Sequence, residues 1–203
     1  MRVKILATMA AVAVLATGCG SASPSPGTAR GPSHVPSHRM SDGSTMSDAD
    51  MKDMGHDTSG AQPSKSASMI CGSEIRDAVK RTFGLRTSPS SNKDWSNRLF
   101  SCDYQVPGGQ LRLSVKDLSS AQPGRAYFTG LRSRLGPVTT IVGVQSFGFP
   151  AFETADGNVV FIKDHKTLRV DASGLPARAL PDGYTRAETA YSVASAVIGC
   201  WSE

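Results

Sequence analysis

Between Gly20 and Ser68 the chain has no Phe, Tyr, Trp, Leu or Ile, and a single Val, Val35. Ser, Pro, Gly, Asp, Ala and Thr dominate those positions. Ordering each backbone residue costs about 1–2 kcal/mol, and burial of large apolar side chains is what offsets that cost. A stretch without such side chains is expected to be a disordered tether. As a coil of roughly 50 residues it would reach about 40 Å. Everything able to make a core therefore lies after it. The chain has 203 residues, 39% of them hydrophobic, which excludes a fully disordered chain and two large domains. The expected division is 1–18, 19–69 and 70–203.

The first segment reads as an address. Arg2 and Lys4 precede a largely apolar run from Ile5 to Ala16, which leads into Leu15-Ala16-Thr17-Gly18-Cys19. A dozen residues at 1.5 Å each cannot span a bilayer core of about 30 Å. A charged start, a short apolar stretch and small residues before a cleavage point describe a secretory signal peptide. The Cys after Ala-Thr-Gly resembles the lipobox of bacterial lipoproteins, with Ala16 where Leu is commoner. That resemblance implies cleavage after Gly18 and a diacylglyceryl thioether on Cys19, with membrane lipid as partner. The chain would then sit on the extracytoplasmic face of the cell membrane. Two acyl chains suffice for stable anchoring. The plainer alternative is an ordinary signal cut at small residues, with Cys19 incidental.

The tether holds one compositional oddity. His34, His38, Met40, Met46, Met51, Met54 and His56 fall within 23 residues, interleaved with Asp42, Asp48, Asp50 and Asp53. No Met follows Met69. Thioether and imidazole suit copper, and carboxylates add hard oxygen donors. The segment resembles the Met/His-rich tracts of surface copper-handling proteins, although Met51-Lys52-Asp53-Met54 is its only Met-x-x-Met pair. Each ligand recruited from a flexible chain adds loop-ordering entropy. The competing reading is a polar spacer in which Met is an oxidant sink. Copper is the one cofactor expected, and only here.

Residues 70–203 carry sixteen Lys and Arg against twelve Asp and Glu. That excess is compatible with anionic lipid or wall polymer. It is too small for nucleic acid, and no basic helix interleaved with aromatics appears. Ser73 can cap a helix whose apolar positions are Ile75, Ala78, Val79 and Phe83, ended by Gly84. Residues 85–97 read as a polar loop holding Trp95. Leu99 to Val106 and Gln110 to Lys116 alternate in hydrophobicity around Pro107-Gly108-Gly109, which predicts a half-buried hairpin. Gln122 to Leu135 reads as a helix stopped by Gly136-Pro137. Further strands are expected over 139–144, 151–154, 159–163 and 167–171, with Asp156-Gly157 as a hairpin turn. Thr185-Arg186-Ala187-Glu188 is a capping box opening a last helix. Its apolar stripe runs through Ala187, Ala190, Tyr191, Ala194, Val197, Ile198 and Trp201 and is read as core. The expected class is α+β, an antiparallel sheet with helices packed on one face.

With Cys19 taken by lipid, Cys71, Cys102 and Cys200 remain, so one disulfide and one leftover thiol are expected in an oxidising compartment. Cys71–Cys102 is favoured, closing a loop worth roughly 3–3.5 kcal/mol in the chain-entropy model. Cys71–Cys200 is the rival, and a buried free thiol at Cys200 fits the first pairing. His165, the one histidine of the domain, sits in the charged turn Asp164-His165-Lys166 and reads as solvated. A catalytic base there is the minority reading.

Several of these features together resemble a family. They are Cys71 near the first helix, Cys102 with an aromatic just after it, and Val142-Gly143-Val144 before Gly148-Phe149-Pro150-Ala151-Phe152. The Asp-Gly hairpin and the Ala-rich last helix complete them. The whole resembles short actinobacterial lipoproteins of unknown function and, more distantly, the extracellular sensor domains of receptor Ser/Thr kinases. Departures are Tyr104, where that pattern has Trp, and the extra Cys200. The resemblance implies a non-enzymatic domain that binds an unknown protein or small ligand outside the membrane.

No Gly-x-Ser-x-Gly, His-Glu-x-x-His, Cys-x-x-Cys or Gly-x-Gly-x-x-Gly is present. Asp103 and Asp117 could adjoin on the hairpin as a carboxylate pair, although a solvated surface pair is the commoner outcome. Phe147-Gly148-Phe149-Pro150-Ala151-Phe152 is either a turn packing three Phe onto the core or a mobile lip over a groove.

Overall fold

The structure is a computed structural model that describes residues 37–39, 45–47, 62–181 and 183–201. Within the stretch expected to be a disordered tether, β1 (Ser37–Arg39) pairs antiparallel with β2 (Thr45–Ser47), setting His38 opposite Met46. Cys19, His34, Met40, Met51, Met54 and His56 lie outside the described residues.

The folded domain begins earlier than residue 70. Helix α1 (Lys65–Ser68) buries Ser66 and Ala67, and a 3-10 turn over Met69–Cys71 buries Ile70. The small residues of Lys65-Ser66-Ala67-Ser68 have the composition of the tether, so nothing in their type marks them as core. Helix α2 (Ser73–Thr82) follows, buries Ile75, Ala78 and Val79, and is N-capped by Gly72 instead of the expected Ser73. Gly84 sits just beyond its end at φ +60°, the left-handed conformation that terminates helices.

The sheet comprises β3 (Ser91–Ser96), β4 (Leu99–Val106), β5 (Gly109–Lys116), β6 (Thr139–Ile141), β7 (Ala151–Glu153), β8 (Asn158–Lys163) and β9 (Lys166–Asp171). Its order is β3-β4-β5-β9-β8-β7-β6, antiparallel throughout. Helix α3 (Ala121–Arg134) links β5 to β6, and α4 (Arg186–Cys200) closes the chain. The α+β class and the antiparallel sheet match the reading of the sequence. The alternation also places its residues correctly: Phe100, Cys102, Tyr104, Leu111, Leu113 and Val115 are all buried.

Four local expectations change. The supposed polar loop contains β3, which pairs with β4 along its whole length. Its Ser91-Asn92-Lys93-Asp94-Trp95-Ser96 has no apolar alternation because it is an edge strand with little to bury. The strand expected over 139–144 stops at Ile141, and a 3-10 turn over Gly143–Ser146 takes the chain out of the sheet. The hairpin between β7 and β8 forms, but its one positive φ is at Gly157, so Ala155 and Asp156 make the bend.

The last change concerns the helices. Those expected on one face are divided. Helix α4 packs on α2 and on β8 and β9, and the main core joins them through residues such as Val79, Phe161, Leu168, Ala194 and Val197. Helix α3 covers part of the reverse face, where Leu131 meets Phe152 and Val160. Strand β8 makes both possible, because Val159 and Phe161 face one way and Val160 the other, all buried. Among the described residues no helix is long and apolar enough to cross a membrane.

Candidate functional site

The disulfide joins Cys71 to Cys102 with Cα atoms 5.5 Å apart, which is the favoured pairing and excludes Cys71–Cys200. Cys200 is disulfide-bonded as well, so the expected leftover thiol is not found there. The Cys71–Cys102 bond ties the 3-10 turn to the inner face of β4. Beside it, Tyr104 donates its hydroxyl to the Ile70 carbonyl at 2.7 Å, and burial pushes the phenol up to about 12.

This staple leaves a groove of about 660 Å³ between the start of α2 and the sheet edge. The β3–β4 register explains its floor. Lys93 lies opposite Cys102 and Trp95 opposite Phe100, so both project on the inner face, Lys93 exposed and Trp95 half-buried against the core. Gly72, the N-cap of α2, and Arg76 within it form the wall. Among the described residues the buried Arg76 Nε has no hydrogen-bond partner, and its Nη2 reaches only the Cys71 carbonyl at 3.4 Å. Among the described residues the Lys93 side chain makes no hydrogen bond or ion pair. Asp94 also borders the groove, and its carboxylate accepts from Ser96 at 3.3 Å. Two cations and two aromatic rings thus converge on one open concavity. Sequence reasoning missed Arg76, Lys93 and Trp95 because their meeting depends on β3 being a strand.

Two further grooves flank α4 and share Tyr184 and Ser192. One, of about 550 Å³, runs along β6 and is lined by Val142, Glu153, Glu188 and Tyr191. The Glu188 carboxyl is lowered from its ordinary value by the Thr185 backbone N–H and then by its hydroxyl, the contacts of the capping box. Its carboxylate is therefore spent on the helix start.

The other residues singled out in the sequence separate. His165 lies exposed in the two-residue turn between β8 and β9, at φ +66°. Asp103 is paired with Arg112 at 2.6 Å across β4 and β5. Asp117 accepts from the Ser64 backbone N–H at 2.7 Å at the other end of the hairpin. A carboxylate pair is therefore corrected to two separate ion-pairing groups. The three Phe also part: Phe152 is buried against α3, Phe149 leans on the main core, and Phe147 is partly exposed in a left-handed conformation. Val144 and Val142 beside it are 93% and 67% exposed. Among the described residues no group of three or more His, Cys, Asp or Glu is placed to hold a metal ion. No family model, curated protein or solved structure matches the chain.

Proposed function

We propose that the chain is a lipoprotein anchored to the extracytoplasmic face of the cell membrane through Cys19, carrying a domain that binds a ligand or partner without catalysis. The observation that carries the reading is the basic, apolar, small-residue leader ending in Leu15-Ala16-Thr17-Gly18-Cys19. The Cys71–Cys102 bond supports it, because disulfides persist in oxidising compartments outside the cytoplasm. The open groove at Arg76 and Trp95 supports the binding role.

Cell fractionation of Cys19→Ser against the natural chain tests the anchor. Release of the variant from the envelope is expected, and equal retention overturns the reading. Non-reducing mass spectrometry of the mature chain reads the same sulfur directly. A diacylglyceryl adduct on Cys19 is expected, whereas a Cys19 sulfur consumed in a disulfide is incompatible with the thioether. Turnover of ester, peptide or glycan substrates at enzymatic rates would remove the non-catalytic half of the reading.

A second reading, copper binding by the tether, is favoured by the β1–β2 register that sets His38 opposite Met46. Cu(I) titration of the chain is compared with a variant carrying Ser at Met40, Met46, Met51 and Met54. Loss of binding in the variant is expected under this reading, and equal weak binding by both disposes of it.

A further inference from the structure

We infer that the groove between α2 and β3 binds a small organic anion, a carboxylate or phosphate head held by Arg76 and Lys93 with an apolar body laid on Trp95 and Phe100. This deepens the binding role proposed above and rests on it, but is independent of the anchor.

The argument starts from an unmet demand. A buried N–H without an acceptor costs free energy, and native structures rarely leave one. The Arg76 Nε is such a group, and among the described residues the one acceptor its fork reaches is the Cys71 carbonyl at 3.4 Å. Among the described residues no carboxylate pairs with Arg76, whereas Arg112 and Arg169 on the reverse face each have one. A guanidinium fork of this kind matches the two oxygens of a carboxylate or phosphate.

Position adds a second reason for an anion. Arg76 lies near the start of α2, where the helix dipole disfavours a cation and favours a negative charge. The N-cap, Gly72, offers no side chain to the first amides, and it borders the same groove. Lys93 adds a second positive charge from the strand side. Among the described lining residues Asp94 is the one carboxylate; it borders the groove through its strand position, while its side chain, alternating with Lys93, accepts from Ser96 on the opposite face. The floor beyond the charges is aromatic, so a bare inorganic ion would leave Trp95 and Phe100 unused. A head group with an apolar body uses both.

The test is an NMR titration of the full-length protein with three isosteric probes: 2-naphthoate, 2-naphthyl phosphate and the neutral 2-naphthamide. The chain has two Trp residues, and the indole N–H signals of Trp95 and Trp201 separate the groove from the core, with Trp95→Phe making the assignment. A saturable shift at Trp95 and none at Trp201 is expected with at least one anionic probe, and the stronger of the two identifies the head group. Arg76→Gln should weaken that binding about tenfold or more, and Lys93→Gln a few-fold. Equal shifts with the amide, equal affinity in Arg76→Gln, or no shift at Trp95 with either anion would overturn the proposal. In the last case the Nε is satisfied by water only. Should Arg76→Gln lose its dispersed spectrum, Lys93→Gln at its exposed strand position decides. Failure here leaves the anchoring test and the turnover assays untouched, so the two readings fail separately.

Discussion

Tyr104 shows what a single position in this fold has to satisfy. Its ring is wholly buried on the inner face of β4, and its hydroxyl must therefore find an acceptor inside the protein, which is the Ile70 carbonyl. Removing the hydroxyl while keeping the ring should cost about 1–2 kcal/mol. Tyr104→Phe is expected to lower the urea midpoint with an unchanged m-value. Glu188 makes a contrasting case at the surface. Its carboxyl is depressed below the ordinary 4.5 by the Thr185 backbone N–H. A depressed acid contributes stability at neutral pH and loses it as the pH falls through its folded value. The gap in Tm between the natural chain and Glu188→Gln should therefore be open at pH 7 and close on acidification below 4.5. The capping box was legible because it is a four-residue pattern. The inward direction of Tyr104 was legible from alternation, but its acceptor was not, since Ile70 lies 34 residues away.

Among the elements, α3 is held by a contact that only a glycine permits. A Cβ on Gly124 would overlap the carbonyl oxygen of His165 in the turn between β8 and β9. In an isolated helix Gly→Ala stabilises by about 1 kcal/mol. At Gly124 the sign should reverse, with a net loss of about 1–3 kcal/mol as the helix is pushed off the reverse face. Equilibrium denaturation of Gly124→Ala reads this directly. A gain in stability would mean that α3 does not approach the turn. The helix itself was legible over nearly its full length. The face it covers was not, because its apolar positions, Tyr127, Phe128, Leu131 and Leu135, fit either side of a sheet equally well. Strand β3 was illegible for the opposite reason. Its polar residues carry no periodic signal, and it is a strand because β4 offers it an edge.

At the scale of the molecule, the Cys71–Cys102 bond closes 31 residues and joins the N-terminal helices to the sheet. The chain-entropy model gives it about 3.5 kcal/mol. The double variant Cys71→Ser, Cys102→Ser should lose about 2–5 kcal/mol in thermal or denaturant unfolding. It should also loosen the wall of the Arg76 groove, since Cys71 and Gly72 line it. Local patterning was enough to determine the α+β class, the hairpin of β4 and β5 and the capped last helix, while it left Cys71–Cys102 and Cys71–Cys200 both open. The class, the hairpin and the helix each follow from period, turn chemistry or spacing within a short window. Only the tertiary structure decided that the helices divide between two faces, that a polar stretch becomes the sheet edge, and that Arg76, Lys93 and Trp95 meet. Those outcomes depend on which surfaces remain uncovered after the core has closed, and no local period or turn signal records that.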